Sequence, residues 1–145
     1  MTAPRLEVDL GKIQHNARTL VGLLAGRGIS VTGVTKATLG SPEIAGALLG
    51  AGVSALGDSR IENIVSMRRA GVRAPMSLIR SPMLSQAHLV IADADVSFNT
   101  ELDVISKLSC AAQKAGCQHD VVLMVELGDL REGIMPGELE NTVRQ

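Results

Sequence analysis

Apolar positions recur along this chain in two alternating periods. Between Lys12 and Ala25, residues Ile13, Ala17, Leu20, Val21 and Leu24 share one face at 3.6-residue spacing, which predicts an amphipathic helix. Short β-branched or aliphatic runs at Val31–Lys36, Val53–Gly57, Pro75–Arg80, Asp95–Phe98 and Val121–Glu126 predict five strands. Their starts lie roughly 20 to 25 residues apart, which leaves room for one helix each time. The helix ends carry their own signals. Ser41-Pro42 reads as an N-cap with proline at the first helical position, and Ser59-x-x-Glu62 has capping-box spacing. Thr100-x-x-Asp103 is a looser cap ahead of Leu102, Ile105, Leu108 and Ala112. Ala51-Gly52-Val53, Ala70-Gly71-Val72 and Ala115-Gly116-Cys117 repeat a helix stop followed by a strand. Leu6–Leu10 forms one further strand-like segment ahead of the first helix.

Strands alternating with helices imply parallel pairing through right-handed crossovers, and strands this apolar are expected to be covered on both faces. No Gly-x-Gly-x-x-Gly follows the first strand, which argues against a dinucleotide site. The fold class is therefore α/β, with parallel (β/α) repeats of a TIM-type barrel. Such a barrel needs eight strands in roughly 250 residues. Five are present in 145 residues, and a helical pattern carrying Leu139 and Val143 begins after Pro136-Gly137 and runs to Gln145. Residues 1–145 are thus expected to be the N-terminal part of a barrel domain, ending within a helix.

Composition narrows the function classes. With 46% hydrophobic and 20% charged residues the chain reads as a folded, soluble protein. Its net charge of −1 leaves no electrostatic footprint for nucleic acid or an anionic membrane. Phe98 is the only aromatic residue, so base stacking is not available and the core must be aliphatic. No apolar run reaches the ~18 residues of a membrane span, and no signal peptide is recognisable, so a cytoplasmic protein is expected. Cys110 and Cys117 are expected to be buried, reduced thiols. His15, His88 and His119 lack partners at ligand spacing, and no metal site is expected.

The chemistry concentrates where strands end. Lys36 closes the first run just before a strand-to-helix turn, the rim on which α/β barrels hold their active sites. Desolvation there would depress its pKa and make it a Schiff-base nucleophile; a solvated surface lysine is the alternative. The later strands run into Asp58-Ser59-Arg60, Arg80, Asn99 and Glu126, with Arg131 just beyond. Each also has a structural reading: Ser59 and Glu62 as a cap, Asp58 at a helix dipole, Asn99 as the cap of the Thr100 helix, Arg80 as a surface charge. The glycine-flanked loop Gly128–Gly133 carries Arg131 and reads either as a carboxylate or phosphate clamp or as a surface turn.

Val8-Asp9-Leu10 with Asn16, Val34-Thr35-Lys36-Ala37 and Gly128-x-x-Arg131-x-Gly133 resemble segments of the alanine racemase family N-terminal barrel, the fold-type III pyridoxal-phosphate enzymes. The resemblance covers essentially the whole chain. Gly33–Lys36, Asp58–Asn63 and Leu127–Gly133 are most similar to the ornithine racemase branch. The resemblance implies pyridoxal 5'-phosphate as cofactor, Lys36 as the residue that forms the Schiff base and acts as a base at Cα, and Arg131 near the cofactor's phenolic oxygen or the substrate carboxylate. It further implies an isomerase acting on ornithine or a related amino acid as a homodimer with a shared active site. Two departures stand out. Alanine racemases proper carry a tyrosine four residues after the lysine, where this chain has Gly40, and their second base is a tyrosine, which this chain lacks. This length alone is accordingly expected to be inactive. Gly57-Asp58-Ser59-Arg60 is also similar to a segment of non-catalytic pyridoxal-phosphate homeostasis proteins, which leaves a carrier as the alternative. A third possibility is a half-barrel that binds no cofactor and persists by association through unpaired strand edges.

Overall fold

The computed structural model describes residues 4–145. Five strands, β1 (Thr32–Val34), β2 (Ala55–Asp58), β3 (Met76–Leu78), β4 (Val96–Asn99) and β5 (Asp120–Leu123), form one sheet in sequential order. Every neighbouring pair is parallel, with Thr32 opposite Ala55, Leu56 opposite Met76, Ser77 opposite Val96 and Val96 opposite Asp120. Sequential parallel order with a helix in each crossover is the winding of a (β/α) barrel. The helices are α1 (Leu10–Ala25), α2 (Pro42–Leu49), α3 (Ile61–Arg69), α4 (Ala87–Asp93), α5 (Leu102–Ala115) and α6 (Leu139–Arg144).

The core lies between sheet and helices. Leu56, Met76 and Leu78 from the strands meet Ala45, Ile61, Ile64, Met67, Val90 and Leu108 from the helices, and the cluster is aliphatic as the composition requires. Coverage on both faces, by contrast, is not found. A side chain at Gly33 would meet Leu48, Val53 and Leu56 on the helical side, whereas one at Gly57 would meet Thr32 and Ile79 on the other. On that second, concave face Val34 is 48% and Val122 40% exposed. Consecutive strand residues point to opposite faces, and only one face of this sheet has a helical layer.

Several local expectations are corrected. Leu6–Leu10 forms no strand: the Asp9 carboxylate accepts the Lys12 N–H at 3.0 Å, and this N-cap starts α1 at Leu10. Although amphipathic, α1 has no fully buried residue and rests on α2 and the β1 edge through Ala17 and Val21. Ser41 does cap α2, its hydroxyl accepting the Ile44 N–H at 3.3 Å behind Pro42. Ser59 and Glu62 do not make a capping box. Arg60 holds the cap position of α3 without a side-chain bond, and Glu62 instead accepts the Gln86 amide at 2.6 Å. Glu101, not Thr100, precedes α5; the Thr100 N–H donates to the Ser81 hydroxyl at 3.2 Å. Gly52, Gly71 and Gly116 follow their helices with positive φ, as the repeated helix stop predicts. Cys110 and Cys117 are free but exposed rather than buried, because both lie off the core-facing side of α5 and its exit. No helix among the described residues is long and apolar enough to cross a membrane.

Candidate active site

The polar residues after the strands do not form one rim; strand alternation divides them. Asp58 and Asn99 share the helix-facing side with Leu56 and Ser97 and are fully buried. Lys36, Arg60, Arg80 and Arg131 are exposed. Asn99 is therefore not a helix cap. Its amide donates to the Ser97 carbonyl and hydroxyl at 2.9 Å, its Oδ1 has no partner among the described residues, and Ser97 Oγ lies 2.8 Å from His119 Nε2. Burial holds the His119 pKa below the usual histidine value, against the opposing charge of Asp120.

Lys36 is not the last strand residue. β1 stops at Val34, and Lys36 opens a 3₁₀ turn, Lys36–Thr38, on the exposed side of the sheet end. Its side chain is exposed, and its ammonium makes no ion pair among the described residues. What fixes the turn is the residue before it. The Thr35 N–H donates to the Gly57 carbonyl at 2.9 Å, and its buried hydroxyl donates to Asp58 Oδ2 at 2.7 Å. Asp58 Oδ1 accepts the Arg60 N–H and the Asn63 amide, both at 3.0 Å. One buried carboxylate thus ties the ends of β1 and β2 to the start of α3. The Thr35 carbonyl then accepts from the Thr38 N–H and hydroxyl, both at 2.9 Å, and closes the turn that carries Lys36.

Gly40 belongs to the same unit. It holds φ +65, and a Cβ there would stand 2.7 Å from Asn63 Cβ. The space a side chain at position 40 would need is filled by the residue that donates to Asp58, so a tyrosine at 40 and Asn63 in its present place exclude one another.

Arg131 stands after β5, at the opposite edge of the sheet from Lys36. Four strand spacings of about 4.8 Å separate the two edges along the sheet. The structure leaves the two side chains apart on one end of the sheet. The loop bearing Arg131 is short and closed: Val125 pairs with Ile134 in a parallel bridge, the Glu126 N–H donates to the Ile134 carbonyl at 2.9 Å, and the Ile134 N–H to the Met124 carbonyl at 2.8 Å. Between the edges, Arg60, Arg80, Ser59, Ser81, Glu62 and Gln86 line a cleft of about 280 Å³. A larger groove, about 580 Å³, runs between α4 and α5 on the helical layer, away from the strand ends. Thr35 and Asn63 lie in segments that carry the resemblance and Gly40 is a departure from it, but their supporting roles depend on contacts between segments roughly 25 residues apart that no local spacing records.

The alanine racemase N-terminal domain family matches residues 8–145. A lysine racemase of Thermotoga maritima is 38% identical over 92% of this chain and 38% of its own length. An ornithine racemase of Acetoanaerobium sticklandii is 33% identical over 93% of this chain and 38% of its own. The chain therefore spans about 38% of the length of these curated relatives. Among solved structures, alanine racemase from Bacillus anthracis superposes with a TM-score of 0.82 at 17% identity, over 98% of this chain and 39% of that one. D-threonine aldolase from Filomicrobium marinum reaches 0.85 at 20% identity, over 99% and 41%. At such identities the superpositions establish the shared barrel fold, here represented by five strands, and a fold serves more than one chemistry.

Proposed function

Because this chain belongs to the alanine racemase N-terminal domain family, we propose that it is the lysine-bearing part of a pyridoxal-phosphate amino-acid racemase acting on ornithine, lysine or a related amino acid. The observation that carries the reading is the Lys36 turn. Thr35 and Asp58 hold it from behind by buried hydrogen bonds, while the amine itself is exposed and unpaired. Such an amine fits an aldehyde cofactor, since condensation needs an accessible nitrogen and expels one water. Arg131, exposed at the same end of the sheet, fits an oxygen anion of the cofactor or the substrate carboxylate. When bound, pyridoxal phosphate supplies an electron sink for the pair left at Cα. Once the substrate's amine displaced it from the cofactor, the freed Lys36 amine would accept the proton from Cα, and Arg131 would orient the anion beside it.

The names of the two relatives support a basic amino acid as substrate, and the family resemblance implies a dimer with a shared site. The carrier alternative rests on the lysine strand, which it shares with the racemase reading, and on Gly57–Arg60. Asp58 in that segment is occupied in holding Thr35 and Asn63, an architectural role that does not favour a carrier.

The test is to add pyridoxal phosphate, reduce with borohydride and map the adduct by mass spectrometry. Attachment at Lys36, lost in K36A, is expected; a folded sample that takes up no cofactor there would refute the reading. Circular dichroism of L- and D-ornithine and lysine incubated with the protein at its relatives' full length then separates racemase from carrier.

A further inference from the structure

We propose that Glu126 is the positioning residue of the Arg131 loop, its carboxylate acting as an internal anchor that fixes where the Arg131 side chain leaves the backbone. The inference rests on the reading of Arg131 given above. Glu126 is 8% exposed although it is charged and next to a surface loop. Its Oε1 accepts the Gly128 N–H and, at 3.1 Å, the Leu130 N–H, so the loop backbone folds around one oxygen. Successive N–H groups converging on an anion form a nest, here filled by the chain's own carboxylate.

The loop conformation requires such an anchor. Gly128, Leu130 and Gly133 all have positive φ, at 118, 53 and 146. Leucine adopts that region only where its surroundings overdetermine it, and the bond from Leu130 to Glu126 does so. Gly133 is confined as tightly, because a Cβ there would fall inside the backbone of Val125 and Glu126. Arg131 lies between Leu130 and Gly133, its backbone N–H a further, lesser contact of the Glu126 carboxylate and its guanidinium without an ion pair among the described residues. The point from which its side chain leaves the backbone is therefore set by the loop, and the loop is held by Glu126. The Glu126 pKa lies below the usual carboxylate range for the same reason, the Gly128 N–H being the largest cause and the Leu130 N–H the next.

Two measurements on the whole chain test this. The first is the rate of trypsin cleavage after Arg131. E126A should raise it about ten-fold by freeing the loop, while E126Q, which keeps an oxygen for both N–H groups, should stay within about two-fold of the parent. The second is the pyridoxal phosphate concentration that half-saturates borohydride-trapped adduct at Lys36. R131Q and E126A should raise it alike, and E126Q should not. If E126A fails to fold, E126D, with its arm one methylene shorter, replaces it and should behave as E126A. Unchanged cleavage in E126A overturns the inference. So does a loosened loop that leaves half-saturation unaltered while R131Q raises it, with the role of Arg131 intact. No effect of R131Q removes that role, and the inference with it.

Discussion

At the scale of single residues, burial sorts the candidate site into groups that do chemistry and groups that hold them. Lys36 is exposed, so K36A is expected to change stability by no more than about 0.5 kcal/mol while abolishing trapped cofactor. A thermal melt beside the adduct assay checks both halves. Asp58 is the converse. Its removal in D58A strands the Thr35 hydroxyl, the Arg60 N–H and the Asn63 amide, and should cost about 2 to 4 kcal/mol in urea unfolding. Gly40 is constrained both by φ and by Asn63, so G40A should cost about 1 to 3 kcal/mol. Part of that loss should return in the G40A/N63G double variant measured against N63G, since the Asn63 Cβ at 2.7 Å is then gone; a strictly additive result would show that backbone strain and the Asn63 backbone are responsible. Glu126 gives a pH dependence of definite sign. Its folded pKa is lowered, so its contribution is present above the ordinary carboxylate range and is lost as pH falls through the folded value, with the Arg131 N–H and the Asp129 side chain as lesser hydrogen-bonding contributors. Amide signals of Gly128 and Leu130 should titrate together below that range.

At the scale of elements, the chain is held unevenly. α3 buries Ile61, Ile64 and Met67, whereas α1 buries none of its residues completely. Amides of α1 should exchange with solvent well before those of α3, because local opening of α1 exposes little apolar surface. The amphipathic period of α1 was legible in sequence, but periodicity reports only that one face is apolar, not how deeply it is buried. The same limit explains the capping errors. Ser59 and Glu62 have the right spacing for a box, yet Asp58 satisfies the Arg60 N–H and Gln86 engages Glu62. Ser41 could be read correctly because its partner, Ile44, lies three residues away and no distant group competes.

At the scale of the molecule, the sheet is covered on one side only. Val34 and Val122 on the concave face are 48% and 40% exposed, and β1 and β5 are its edges among the described residues. Apolar exposure of this kind favours association. Sedimentation should show concentration-dependent self-association, reduced by a V34K/V122K double substitution; a strict monomer at all concentrations would remove the expectation. Acid should weaken the whole fold, since the pKa values of His119 and Glu126 are both lowered and the unfolded chain therefore binds more protons.

The sequence by itself determined the α/β alternation, the five strands of the sheet, the helix stops, and the two residues, Lys36 and Arg131, on which the proposed chemistry rests. Those features follow from periods of 2 and 3.6 and from turn residues acting over a few positions, and the resemblance to a family added the roles. Tertiary structure alone decided that Asp58 and Asn99 turn inward, that Thr35 and Asn63 hold the lysine turn, that Gly40 is required by Asn63, and that Glu126 organises the arginine loop. Side-chain direction on a short strand reverses with a shift of one residue, so a boundary error of that size exchanges a rim residue for a buried anchor.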